Sequence, residues 1–398
     1  MNKRTLADVA DIQTGPFGSQ LHKEDYSDIG IPIVTVEHLG ERSFSEQNLP
    51  LVHEEDANRL SKYRMKSGDI IFSRVGSVDR CSFADRNNDG WLFSGRCLRI
   101  RSHGEYDPEF LYYYLSSNNV RRFIRNIAVG ATMPSINTTL MGEIPIPPID
   151  PRVQSQVASV GTAIDKKISI NNRVNGYLAE MAEAIAAKYC EQGGIRLGDI
   201  CHQVAERVDC GEAKLETYVS TESLLQDKKG RQLAASLPAT GKVTRFVAGD
   251  TLVSNIRPYF KKVWYASFDG TCSSDVLVLR ANAANDAPYI HACLRQDSFF
   301  DHVMRGAKGT KMPRGDKKQM MEFRIAPTCE PDDLSVLSAS LKQISLNDAE
   351  SAKLVVLRNR LLPKLMSGEI DVSQIDAKRL NSHLYGQERV GDQTQHRE

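Results

Sequence analysis

No run of about 18 apolar residues occurs in the 398-residue chain, so the sequence offers no membrane-spanning helix. The opening Met-Asn-Lys-Arg leads straight into Thr5-Leu6-Ala7-Asp8-Val9, without the apolar core of a signal peptide, and a cytoplasmic location is expected. Eight cysteines at 81, 97, 190, 201, 210, 272, 293 and 329 form no Cys-x-x-Cys pair, which argues against a zinc site or a disulfide framework and for reduced thiols. Nine histidines show no metal-ligand spacing, so no metal is expected. A phosphate loop is missing as well: Gly241-Lys242 runs into Val243 and lacks the earlier glycine. Pro147-Pro148 lies between Ile146 and Ile149, so the Asn/Asp-Pro-Pro-aromatic motor of adenine methyltransferases is absent, and no cofactor is expected. Asp209 with Glu212-Ala213-Lys214 superficially resembles a nuclease carboxylate set, but the separation is too short and no catalytic residue is assigned. A net charge of +1 leaves any polyanionic partner to local basic patches.

What the chain does have is internal repetition. Ala128-Val129-Gly130-Ala131-Thr132-Met133-Pro134 returns as Ala307-Lys308-Gly309-Thr310-Lys311-Met312-Pro313, 179 residues later. Asp107 to Leu115 returns as Asp286 to Leu294 at the same offset, and Lys66 to Arg74 as Val247 to Asn255 at 181. The openings Leu6-Ala7-Asp8-Val9 and Leu197-Gly198-Asp199-Ile200 lie 191 apart, so the copies diverge mainly between each opening and its Gly-Asp turn. Each copy reads as mixed α and β. Strands are predicted after the turns at Asp69 and Asp250, with partners at Cys97–Arg101 and Val276–Arg280. Helices open at Asp107 and Asp286, and the tyrosine-rich first one is expected to pack in the core.

A different pattern follows each copy. After Ile144-Pro145-Ile146-Pro147-Pro148, apolar residues recur at Val153, Val157, Val160 and Ile164, then at Val174, Leu178, Met181 and Ile185, with Lys167 and Asn171 between them. After Pro331 come Leu334, Leu337, Leu341 and Ile344, a polar middle at Asp348 and Ser351, then Val355, Leu361, Leu362 and Leu365. Heptad spacing with a polar interruption predicts two coiled-coil helices, each about 50 Å long, able to pair antiparallel. The alternative is that each helix packs only on its own globular copy.

Further motifs stand in the first copy: Thr14-Gly15-Pro16-Phe17-Gly18-Ser19, then Asp25 to Ile33, then Gly-Asp-Ile-Ile-Phe-Ser-Arg at 68–74. Taken in order, with the Met-Pro and Ile-Pro-Ile-Pro-Pro elements and the repeat, they resemble the DNA-specificity subunits of type I restriction-modification systems across nearly the whole chain. The second copy departs from the pattern, having no clear equivalent of Gly15 to Ser19. The resemblance implies an α+β chain with two target-recognition domains, 1–150 and 193–330. Spacer helices at 151–192 and 331–370 would separate them, and 371–398 would be a polar tail. It implies a non-catalytic subunit that reads a bipartite target in double-stranded DNA, with methyltransferase and restriction subunits as partners. Two other functions stay open: a single-chain nuclease or methyltransferase with degenerate motifs, and a bridging scaffold without sequence readout.

Candidate DNA contacts are donors on loops. In the first copy they are Phe17, Gly18, Ser19, His22, Lys23, Arg74, Ser77, Gly130 and Thr132. In the second they are Arg257, Tyr259, Lys261, Lys262, Lys308, Thr310, Lys311 and Arg314. Arg74 and Lys311 lead because both sit in repeated elements.

Overall fold

The computed structural model describes residues 4–16, 18 and 20–371, the side chain of Lys23 excepted. Its contacts divide the chain into two units, residues 1–169 with those from 351 onward, and residues 170–350. The fold is α+β, and each unit is built of one mixed globular part and half of each of two long helices, Pro151–Gln192 and Pro331–Met366.

The repeat is a structural one. In the first unit Ala10–Thr14, Cys97–Ser102, Ile70–Ser73 and Cys81–Phe83 form an antiparallel sheet in that order. In the second, Cys201–Gln203, Val276–Ala281, Thr251–Ser254 and Val263–Tyr265 form the same sheet in the same order. The Gly-Asp turn fixes each one. Gly68 and Gly249 take φ of 98° and 95°, a region costly for a residue with a Cβ. The aspartate after each glycine is only 1% exposed, and its carboxylate receives two hydrogen bonds from an arginine on the neighbouring strand. Arg101 reaches Asp69 at 2.6 and 2.6 Å, and Arg280 reaches Asp250 at 2.7 and 2.7 Å. Bidentate pairing is what makes such a charge tolerable inside.

The helices after these sheets repeat, but only the first has an aspartate cap; Asp286 makes no cap hydrogen bond. Asp107 caps Pro108–Leu115 by accepting from the amides of Glu109 and Phe110, and Pro108 needs no partner at the first position. Phe110, Leu111, Tyr112, Tyr113 and Leu115 are buried, so this face is core and not an open stacking surface. The counterpart Ala287–Leu294 is buried throughout.

The copies part company in a second sheet. Both contain a short parallel pair, Ile31–Val34 beside Leu92–Phe93 and Tyr218–Val219 beside Gly270–Cys272. The first unit extends it through Ile31–Val34, adding Leu51–Val52 and then Tyr26–Ser27. The second extends it through Gly270–Cys272, adding Lys242–Phe246 and then Arg207–Asp209. The extension lies on opposite flanks of the pair, within the stretch where the sequences diverge.

Each half of the helix pair is packed in its own unit. In the first, Val157, Val160 and Ile164 are fully buried with Leu354, Leu362 and Leu365, while Leu361 is half-buried. The same helix also meets its globular part: Gly161 faces the ring of Tyr113, where a Cβ would come within 2.5 Å. Tyr113 Oη donates to Asp165, which pairs with Arg358 from the other long helix. In the second unit the helices run antiparallel, with Asn171 near Asn347 and Glu350, Asn175 near Asp348, and Tyr189 near Asp333. Leu337 is buried, and Leu178, Leu341 and Ile344 are half-buried.

One stretch differs from the heptad reading. Asn171 is buried on the seam as expected, but beyond it Val174 and Met181 are 38% and 41% exposed, and the buried line instead passes through Ala182, Ala186 and Tyr189. A straight α-helix drifts from a strict seven-residue repeat. Small alanines are buried where larger side chains were expected. Among the described residues no helix is long and apolar enough to cross a membrane, and no group of His, Cys, Asp or Glu could hold a metal. All eight cysteines are free.

Candidate nucleic-acid interface

The repeated Met-Pro element is a short closed loop in both units. Val129 and Ser135 exchange backbone hydrogen bonds at 2.9 and 2.8 Å, as do Lys308 and Arg314 at 2.9 and 2.9 Å. Gly130 and Gly309 take φ of 107° and 100° to allow the reversal. The loop tips carry Met133, 67% exposed, and Met312, 47% exposed. Each loop is bonded to the segment leaving the central strand. Gly76 N–H donates to Pro134 O at 2.8 Å and Ile136 N–H to Arg74 O at 3.0 Å. In the second unit Arg257 N–H donates to Pro313 O at 2.8 Å and Gly315 N–H to Asn255 O at 3.2 Å. The outcome in each unit is two adjoining loops held by backbone bonds, with polar and basic residues along them.

These pairs gather Arg74, Ser77, Gly130 and Thr132 in the first unit, and Arg257, Tyr259, Lys261, Lys262, Lys308, Thr310, Lys311 and Arg314 in the second. Ser77, Gly130, Thr132, Thr310 and Lys311 are exposed. Arg74 is half-buried and donates to the carbonyl of Gly95 at 3.1 Å. Gly95 in turn lies against Pro16 and Gly15 against Ser94, with no room for a Cβ at either glycine. Arg74 therefore sits beside the start of the glycine-rich loop. Of that loop, Phe17, Ser19 and the side chain of Lys23 lie outside the described residues. Gly18 is exposed, with open space where a side chain would be, and His22 is exposed beside Asp25.

Most cations of the second unit already have internal partners. Lys261 Nζ is 3.0 Å from Asp297, Lys308 Nζ 3.4 Å from Asp316, and Arg314 3.5 Å from Asp275. Lys262 donates to Thr221 O at 2.6 Å, and burial pushes its ammonium below the usual lysine value. That makes Lys262 a brace more than a phosphate contact. Tyr259 is 46% exposed and stands edge-on to Phe260. Arg257 has φ of 51° and a buried Nε with no partner among the described residues. Sequence reasoning passed over Met133, Met312 and Gly95, although the first two stand in the repeated motif itself.

Residues 1–178 match the family model of the type I restriction modification DNA specificity domain. The first globular part, with the beginning of the long helix, is thus a DNA specificity domain of the type I class. The chain is similar to the HindI specificity subunit of Haemophilus influenzae, 27% identical over 31% of this chain and 28% of that protein. It is also similar to the putative MjaX specificity subunit of Methanocaldococcus jannaschii, 24% identical over 48% of this chain and 45% of that protein. The chain spans less than half the length of these curated relatives. A crystal structure of the type I S subunit from M. genitalium aligns over 92% of this chain and 96% of that one, at 17% identity and a TM-score of 0.49. The recognition of a type I specificity subunit, made from the order of the sequence motifs, is borne out by the domain match and the curated relatives.

Proposed function

We propose that this protein is a non-catalytic subunit that reads a bipartite sequence in double-stranded DNA and directs partner subunits to it. The observation that carries the reading is the doubling. The same four-stranded sheet and the same bonded loop pair occur twice, joined to second sheets of different build. A common frame with unlike variable parts suits two readers of two different half-sites.

Each loop pair offers exposed hydroxyls, backbone groups and a few cations, the donor set that phosphates and base edges take. Internal pairing of Lys308 and Arg314 holds these cations until DNA competes for them. Affinity should then fall with rising salt as counterions are exchanged. The long helices supply spacers between readers, and their outward residues are the surface on which methyltransferase and, where present, restriction subunits would dock. Methyl transfer and ATP-driven cleavage would lie with those partners.

The test is co-expression with the type I methyltransferase subunit of the same genome, followed by single-molecule mapping of N6-methyladenine. Methylation confined to one split motif, and abolished by deleting this chain, is the expected result. A methylation pattern indifferent to the deletion would end the reading.

A further inference from the structure

In the second unit the reading loop is held in a conformation that its residues disfavour. Arg257 and Lys261 lie in the left-handed region at φ of 51° and 49°, and the adjoining Asp227 and Lys228 do so at 54° and 62°. Side chains with a Cβ rarely adopt that region. Position 257 corresponds to Gly76 of the first unit, which takes φ of 74° without that penalty. The two strained segments are bonded to each other, Asp227 N–H to Phe260 O and Lys228 N–H to Lys261 O, both at 2.9 Å.

An ion-pair chain connects them to the long helix Pro151–Gln192. Glu183 on that helix receives Lys228 at 2.7 Å and Arg295 at 2.7 and 3.1 Å. Lys228 also reaches Asp297 at 3.1 Å, and Asp297 reaches Lys261 at 3.0 Å. Arg295 donates to Lys228 O at 2.9 Å, and Gln296 to Glu183 O at 2.7 Å. Lys228 and Arg295 are 15% and 12% exposed, so these contacts are partly shielded from solvent and salt. Burial opposes ionisation of Asp297, yet the hydrogen bonds from Lys261 and Lys228 outweigh it and hold the carboxyl below its usual range. In the first unit the corresponding loop is tied by Arg125 to Asp79, and Arg358 of a long helix pairs with Glu41 elsewhere on the globular part.

Resting on the function proposed above, we infer that Glu183 and Asp297 are positioning residues for DNA reading by the second unit. They clamp the loop bearing Arg257 and Tyr259 to the long helix and thereby set the angle at which it meets base edges. Neither residue touches DNA in this account; each acts through Lys228 and Lys261.

The test uses the full chain, bound to a pool of randomised duplexes whose retained members are sequenced. Glu183→Gln should lower discrimination at the second half-site about tenfold, and Asp297→Asn about threefold, with the first half-site unchanged. The salt dependence of binding should stay the same, since phosphate contacts are kept. Asp297 is 62% exposed, so its variant keeps the unit folded, checked by an unchanged Tm, and decides the matter should Glu183→Gln misfold. Second-site discrimination unchanged in the folded variants, or equal loss at both half-sites, would overturn the clamp. A wild-type chain that selects no split motif would instead overturn the underlying reading, and the clamp with it.

Discussion

Asp69 and Asp250 place a carboxylate where almost no water reaches, and each depends on one arginine for its charge balance. Removing one partner of a buried pair leaves the other uncompensated. Asp69→Asn and Asp250→Asn should each cost about 3 kcal/mol, measured by urea unfolding, and the similarity of the two losses would check the equivalence of the turns. Gly76→Ala should cost about 1 kcal/mol through its left-handed backbone. Arg257→Gly should change stability by less than about 1 kcal/mol, because relief of strain is offset by a freer unfolded chain, while weakening DNA binding in a filter or gel-shift titration. The loops that carry the candidate donors were legible in the sequence, since Gly-Asp and Met-Pro recur at fixed offsets. Their partners were not. Asp297 for Lys261, Asp275 for Arg314 and the Gly95 carbonyl for Arg74 are brought in by tertiary folding, which no local pattern announces.

At the scale of elements, the two inner strands of each central sheet and the long helices were legible because strand and heptad periodicities are strong over several residues, whereas the flanking strands Ala10–Thr14, Cys81–Phe83, Cys201–Gln203 and Val263–Tyr265 were not read. The second sheets were not: most of their strands are two to five residues long, too short for alternation to register. The helix seam beyond Asn171 was misplaced by a residue because apolar Val174 and Met181 fit a heptad better than the alanines that pack there. Met181→Ser should therefore alter stability by no more than about 0.5 kcal/mol, as at exposed sites generally. Ala182→Leu should destabilise by about 2 kcal/mol through overpacking. Thermal unfolding of the two variants distinguishes the seams, and the reverse ranking would restore the heptad line.

For the whole molecule, the proposed function requires that the two globular parts be exchangeable one at a time. Replacing residues 1–150 with the corresponding part of another specificity subunit should change one half-site in the methylation map and leave the other. Inserting seven residues near Asn171, matched by seven near Ser351, should lengthen the spacer by about 10 Å and widen the gap by about three base pairs. A swap that altered both half-sites together would contradict separate readers.

The division of the chain also dictates an order of events during synthesis. Residues 170–350 form one uninterrupted stretch, whereas the first unit is completed only by residues from 351 onward. On the ribosome, the N-terminal globular part emerges first but keeps Val157, Val160 and Ile164 without Leu354, Leu362 and Leu365 until the final helix is translated. The unit encoded later is the earlier one to be finished. A chain truncated after residue 350 and released from the ribosome should thus protect the second unit from protease while the first remains open to it, and the apolar face left waiting is where a chaperone would bind.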